Sequence, residues 1–217
     1  MKIIVFDTET TGLPKNRKAS PEHSHLWPYI VQISWLVFDD STNKITNIND
    51  HIIKLPEGMD VPESSSRIHG ITTEKMRSEG KNIKDILDIF TKDYLSCQIV
   101  VAHNINFDLD VIQAELHRNN FTNWLKLTNN IKYCTMKYGK TITNIMVPSK
   151  FNNGMYQKPP KLIELHSHLF HTEPSNLHNS MTDVWVCFRC FYQMLYMEDI
   201  VKKYSDLGKY YNEVCCL

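Results

Sequence analysis

No run of apolar residues in this chain of 217 is long enough to span a bilayer. The N-terminus also lacks a charged region followed by a long apolar stretch and a cleavage site. No secretory signal is therefore expected, and the chain reads as soluble and intracellular with no membrane partner. Net charge is missing as well: 24 Lys and Arg balance 24 Asp and Glu, and the pI is about 7.1. Such neutrality excludes a protein that coats nucleic acid through bulk positive charge. A disulfide framework is absent too. Cys97, Cys134, Cys187, Cys190, Cys215 and Cys216 are scattered, which at this length does not suit a secreted cystine scaffold. Cys187-x-x-Cys190 has no second matching pair. Core packing of Cys187 is expected in preference to a zinc site with His166, His168 or His171, which read as surface residues on a helix. No internal repeat, low-complexity tract or second domain is marked. What is there is ordinary for a globular chain, 42% hydrophobic and 22% charged residues, sufficient for one domain with a full-sized core.

Hydrophobic periodicity divides the chain. Ile3-Ile4-Val5-Phe6 is short, β-branched and reads as a buried strand. Tyr29 to Phe38 and Lys44 to Leu55 give two more strands, joined by short connections as an antiparallel meander. Pro62 to Gly70 has Pro at a helix start and Gly at its stop. Asn82 to Leu95 repeats apolar residues at helical spacing. Ile99-Val100-Val101-Ala102 is a fourth strand, followed by a helix to about Asn119. Ile131 to Cys134 is a fifth, followed by helices from Thr135, from Pro160 to Phe170 and from Thr182 to Tyr196. This order predicts an α/β fold with helices on both faces. The polar, turn-rich stretch from Thr143 to Pro160 reads as a solvated loop or a lid.

Four acidic residues and one histidine stand out. Asp7 and Glu9 lie in Phe6-Asp7-Thr8-Glu9-Thr10-Thr11-Gly12. Asp108 ends His103-Asn104-Ile105-Asn106-Phe107-Asp108, and His178 and Asp183 bracket His178-Asn179-Ser180-Met181-Thr182-Asp183. Residues two apart on a strand share a face, so Asp7 and Glu9 project together from the end of a core strand. Like charges held that close are costly unless a cation sits between them. Asp108 follows the fourth strand and Asp183 opens the last helix, so all four converge if the first and fourth strands are neighbours. Hard oxygen ligands select magnesium or manganese. Two such ions form the clamp used for phosphoryl displacement, and a histidine titrating near neutrality suits the removal of a proton from water. Alone, each residue has a plainer reading. Asp108 or Asp183 would do as a helix cap, His178 as a surface histidine and Asp7-x-Glu9 as a solvated rim. Their joint order favours the metal site.

The three motifs resemble those of the DEDDh-type 3′–5′ exonucleases, the family that includes the proofreading subunit of bacterial replicative polymerase. Ile68-His69-Gly70-Ile71-Thr72 and Cys134-Thr135-Met136 are similar to further family segments, and the resemblance covers roughly Lys2 to Tyr196. It implies a ribonuclease H-like mixed five-stranded sheet, its first three strands antiparallel and the rest parallel, flanked by helices. It implies an exonuclease domain over residues 1–197 and a C-terminal tail over 198–217. Metal ligation by Asp7, Glu9, Asp108 and Asp183, with two Mg2+ or Mn2+ ions, and general-base work by His178 follow from the same match. So do contacts of Thr10, Gly12, Leu13, His69 and Phe107 with the terminal nucleotide. The implied substrate is nucleic acid with a free 3′ end, single-stranded DNA first and RNA second, cut to nucleoside monophosphates. A polymerase or a second copy of the chain is an implied partner, with Leu207, Tyr210, Tyr211 and Val214 of the tail as a docking element. A non-catalytic nucleic-acid-binding module on the same fold would be expected to have lost a carboxylate or the histidine. The loops 15–28 and 143–160 are longer than the family minimum.

Overall fold

The run Ile3-Ile4-Val5-Phe6 has to be covered on both faces, and it lies at the centre of a five-stranded sheet. The computed structural model describes residues 1–121, 128–151, 153–175 and 177–215. Asn152 of the turn-rich stretch and Cys216 of the tail lie outside them. The strands are β1 (Lys2–Thr10), β2 (Ile30–Asp39), β3 (Lys44–Ile52), β4 (Ile99–Ala102) and β5 (Ile131–Cys134), in the order β3-β2-β1-β4-β5. β1 pairs antiparallel with β2, and β2 with β3, whereas β1–β4 and β4–β5 are parallel. This is the mixed sheet expected from the motifs.

Alternation along the strands builds two cores. Ile4, Phe6, Ile33, Trp35 and Val100 face α3 (Ile83–Ser96) and α4 (Ile105–Arg118). Ile3, Val5, Leu36, Phe38 and Val101 face α7 (Ser180–Tyr196), whose Val184, Cys187, Phe188 and Phe191 are buried. Each fully buried side chain of this size is worth about 1.5–3 kcal/mol, so a sheet covered on both sides needs no further support. Among the described residues, no helix is long and apolar enough to cross a membrane.

Several elements differ from expectation. β1 runs on to Thr10, so Asp7 and Glu9 lie within the strand and not beyond its end. The parallel partner stops earlier, its last pair being Val5 with Val101. β3 ends at Ile52 because Lys54 turns away and donates its N–H to Lys81 O (2.9 Å). Besides α1 (Glu63–His69), a helix α2 (Thr73–Glu79) is present that periodicity did not reveal. It buries only Met76 and is capped by the Thr72 hydroxyl. Gly80 after it is compulsory, since a Cβ there would lie 2.2 Å from Met76 O.

After α5 (Thr135–Thr143), the supposed loop or lid is a small hairpin of β6 (Met146–Pro148) and β7 (Met155–Gln157). α6 (Leu162–Phe170) follows, and its His166 is not at the surface but only 1% exposed. Its Nδ1–H donates to Thr172 O, and its Nε2 accepts from the Tyr211 hydroxyl (2.8 Å) and from Arg189 (3.2 Å). Tyr211 comes from the segment expected as a tail. That segment forms α8 (Ile200–Lys203) and α9 (Ser205–Cys215), with Leu207, Tyr211 and Cys215 buried against the α7 core. Leu207 and Tyr211 are therefore not free to dock a partner.

Candidate active site

The early stop of β4 leaves the last residues of β1 open on one side. Alternation puts Asp7 and Glu9 on the α7 face, after Ile3 and Val5. α7 brings Asp183 to them from its first turn. One ligating oxygen from each of Asp7, Glu9 and Asp183 falls within 4.8 Å of the others. The helix start is fixed by Asn179, whose Oδ1 accepts from Met181 N (3.1 Å) and Thr182 N (3.4 Å).

Two residues that were not singled out in the sequence latch this helix to the sheet. The Ser180 hydroxyl donates to Asp7 O (2.7 Å), and Ser180 N donates to Gln32 Oε1 (3.2 Å). Gln32 Nε2 and the Ser34 hydroxyl both donate to Asp50 Oδ1. Gln32 lies opposite Glu9, and Ser34 opposite Asp7, in the β1–β2 ladder. Their signal was two polar residues in an otherwise apolar strand, legible only once the register is known.

Asp108 arrives from the other side of the sheet, in the first turn of α4. Its Oδ1 accepts from Thr8 N (3.1 Å) and the Thr8 hydroxyl (2.8 Å). Thr8 faces away from Asp7 and Glu9, so Asp108 adjoins the tight group of three without being part of it. It is close enough for the Asp7 charge to raise its carboxyl.

Among the described residues, no cationic side chain is ion-paired with these carboxylates. Burial, eased by the Ser180 hydroxyl, pushes Asp7 up to about 7. Burial pushes Glu9 up to about 9, with the charges of Asp7, Asp183 and Asp108 adding to it. Asp108 and Asp183 are raised well above the ordinary carboxylate range, again by burial first and by Asp7 second. Asp183 Oδ1 is buried with no hydrogen-bond partner, although the His178 backbone N–H supports the carboxylate. Buried acceptors of this kind are normally paired, and an orphaned one costs about 1–3 kcal/mol or more when charged. A hard divalent cation fits this donor set, because it gives every oxygen a partner and removes the mutual repulsion.

The remaining predicted positions divide. His178 is exposed at the mouth of α7, with a left-handed backbone (φ 69°). Thr10 donates its hydroxyl to Gly12 O (2.7 Å), and Gly12 has φ 143°, a conformation that strains any other residue. His69 packs beside them, 7% exposed. Its Nδ1 accepts from Ile71 N (3.1 Å), which leaves the proton on a buried Nε2 without a hydrogen-bond partner. Burial holds His69 below the usual histidine range, opposed by the nearby Thr10 carbonyl. Leu13 is 67% exposed, while Phe107 is half-buried against the α4 core. His103, read as structural, spans the end of the sheet from Thr135 Oγ1 (2.9 Å) to Pro160 O (3.1 Å), and burial pushes it down to about 4.

Comparison with known proteins bears on the family and the fold. The RNase T-type exonuclease family model matches residues 4–191. DNA polymerase III subunit epsilon of Buchnera aphidicola (subspecies Acyrthosiphon pisum) is 33% identical over 115 residues, 53% of this chain and 44% of that protein. The epsilon subunit of the Schizaphis graminum subspecies is 31% identical over 114 residues, 52% of this chain and 45% of that one. The chain thus spans less than half the length of these relatives. E. coli exonuclease I in complex with a dT13 oligonucleotide superposes with a TM-score of 0.65 at 16% identity, covering 88% of this chain and 41% of that one. A further exonuclease I structure gives 0.65 at 20% identity over 96% and 42%. The fold is therefore that of exonuclease I, and the chain belongs to the RNase T-type exonuclease family.

Proposed function

We propose that this protein is a 3′–5′ exonuclease that removes nucleoside monophosphates one at a time from single-stranded DNA, with RNA as a second substrate. The observation that carries the reading is the group of Asp7, Glu9 and Asp183, three half-buried carboxylates within 4.8 Å and, among the described residues, without an ion-paired countercharge. Asp7, Glu9, Asp183 and the adjoining Asp108 would hold two magnesium or manganese ions. When bound, such ions supply Lewis acidity, a water nucleophile of lowered pKa and a charge to balance the leaving oxygen. His178, exposed beside Asp183, takes the proton of the attacking water on a ring nitrogen. Exposure at the helix mouth suits a base that must reach the attacking water when substrate is present.

The other side chains position the terminal nucleotide. His69, packed beside Thr10 and Gly12, would line the pocket for the sugar of that nucleotide. Gly12 lets the backbone approach the sugar without a Cβ in the way. Leu13 offers its exposed side chain to the base, a contact that tolerates any base. The likeness to the epsilon subunits favours a second reading, proofreading beside a polymerase. With Leu207 and Tyr211 buried and Val214 packed against the α7 core, Tyr210 is what the supposed docking segment would offer such a partner.

End-labelled single- and double-stranded DNA and RNA, digested with magnesium, with manganese or with chelator, test the reading. A 5′-labelled ladder that shortens from the 3′ end, strongest on single-stranded DNA and silent in chelator, is expected. Intact oligonucleotides in the presence of both metals would overturn it.

A further inference from the structure

Formal neutrality of the whole chain conceals a strong asymmetry. No Asp or Glu stands between Glu115 and Glu164, while eight Lys and Arg residues do. The rest of the chain carries the compensating negative charge. Within this stretch lie β5, α5 and the β6–β7 hairpin, which occupy the end of the sheet next to the carboxylate site. Ala102 pairs with Cys134, so α5 begins where the loop to Asp108 begins. A cleft of about 360 Å3 opens there, between Asn104 and Asn106 of the α4 start and Lys132, Met136, Lys137 and Tyr138.

Along this surface Lys132, Lys137 and Lys150 are exposed, and Lys140 is half-buried. None of the four is ion-paired among the described residues. One nearby acid, Asp110, feels Lys132, and Lys158 alone of the hairpin's base is paired, with Glu164. Aromatic rings interleave with these cations. Tyr138 is 47% exposed and rests on Tyr133, with centroids 4.5 Å apart. Tyr156 is 49% exposed, and Phe151 at the hairpin tip is 98% exposed. The hairpin is not a loose appendage. Gln157 Nε2 ties it to Lys140 O (2.8 Å) and to Asn144 Oδ1 (3.1 Å). Exposed aromatics alternating with unpaired lysines beside a cleft are the composition of a single-strand track, where bases stack and phosphates follow the charge.

We propose that β5, α5 and the β6–β7 hairpin form the path for the single strand on the 5′ side of the scissile bond, with Phe151 and Tyr138 as stacking platforms and Lys132, Lys137 and Lys150 as phosphate contacts. The proposal rests on the carboxylates being the cleavage site. It explains how a neutral protein holds a polyanion: the cations are concentrated on one surface.

The test compares wild type with the variant Lys132→Glu, Lys137→Glu, Lys150→Glu, and separately with Phe151→Ala. Affinity for a fluorescent 20-nucleotide single strand is measured in chelator across a range of salt. Hydrolysis of the p-nitrophenyl ester of thymidine 5′-monophosphate, which reaches only the carboxylate site, is measured with magnesium or manganese. The triple variant should bind the strand at least about 10-fold more weakly, and the slope of log affinity against log salt should fall by about 2, at roughly 0.7 per lost contact. Phe151→Ala should weaken binding about 5- to 100-fold, the range for one lost stack. Ester hydrolysis should stay unchanged in both. Wild-type affinity and salt slope in the triple variant would overturn the track, showing a surface that serves some other partner. A wild-type protein inert toward the ester and toward every strand, yet showing the expected binding losses, would remove the cleavage site and leave the track standing. Should the triple variant fail to fold, photocrosslinking of strands carrying 5-iodouracil to the wild-type protein decides. Adducts on Tyr138, Phe151 or Tyr156 support the path, and adducts confined to other surfaces refute it.

Discussion

Helix α7 touches two polar clusters, one around Arg189 and one around Asp183. At the first, Arg189 Nε and an η-nitrogen donate to the two oxygens of Asp199 (3.0 and 2.8 Å), its guanidinium lies 3.9 Å over the Phe170 ring, and His166 and Tyr211 fill its remaining contacts. At the second, Asp183 meets Asp7 and Glu9 with no cation beside them and one oxygen unpartnered. The carboxylates are half-buried and the Arg189 cluster is buried, and the two lie less than two turns apart on one helix, but only one is balanced. A buried pair is tolerated when its hydrogen bonds are complete; a buried group of like charges is tolerated only if something from solution completes it. The balanced cluster has what a structural role requires, and the unbalanced one has what the proposed metal site requires.

The sharpest way to break this comparison is to remove one member from each cluster. Asp7→Ala should lower hydrolysis by at least about 10³-fold, because several kcal/mol of charge stabilisation is lost at about 1.36 kcal/mol per factor of ten. Its Tm in chelator should be unchanged or higher, since a repelling charge has gone. Normal activity in that variant would show that the carboxylates are not the site. His178→Ala should cost about 10²–10⁴-fold at neutral pH, with no change in Tm because the side chain is exposed. An unaltered pH–rate profile would remove the residue from that role.

Asp199→Ala should behave in the opposite way. It strands the buried Arg189, at about 3–5 kcal/mol of unfolding free energy by denaturant titration, with activity per folded molecule retained. If Asp199→Ala and Asp7→Ala destabilise alike, the contrast between the clusters is false.

The contrast was only half legible in the sequence. Asp7 and Glu9 announced themselves because period-two spacing on a short β-branched run fixes which side chains share a face. The five strands were visible for the same reason. Ser180 and Gln32, which latch α7 to the sheet, were not visible, because their partners lie across the β1–β2 register and 148 residues away in sequence. His166 was misread as a surface residue because its cover, Tyr211, comes from a segment whose helically spaced Leu207, Tyr211 and Val214 were read as a docking element for a partner and not as a helix packed on this chain. α2 and the β6–β7 hairpin were missed for want of length: one buried residue, and three residues per strand, carry no pattern to read.

Magnesium sharpens the comparison from the other side. A ligand that binds only the folded state adds about 2.7 kcal/mol at 100 times its Kd. Magnesium or manganese should therefore raise the Tm of the wild type, and of Asp199→Ala, but not of Asp7→Ala. Thermal scans with and without chelator read this directly. An equal shift in all three proteins would place the ion elsewhere.

The smallest effect is in pH, where the two clusters should pull in opposite directions. Burial holds His166 down at about 4, below the ordinary 6.5 of an unfolded histidine. Between these values the unfolded chain binds the extra proton, so this contribution to stability is full above 6.5 and is lost as pH falls toward 4. At pH 5 the loss is about 2 kcal/mol at 1.36 kcal/mol per pH unit, and His103 contributes with the same sign. Asp7 and Glu9, raised to about 7 and 9, take up protons in the folded state first. In chelator their repulsion is relieved, and stability gained, as pH falls from 9 toward the unfolded carboxylate range near 4. Unfolding free energies at intervals from pH 9 to 5 should thus rise as pH falls to about 6.5 and then level off in the wild type, where the histidine loss opposes the continuing carboxylate gain. His166→Gln should make the curve climb more steeply below pH 6.5 by its share, and Asp7→Asn should make it shallower below pH 7. A His166→Gln curve parallel to wild type below pH 6.5 would mean that the histidine is solvated and that the paired cluster is looser than its hydrogen bonds suggest.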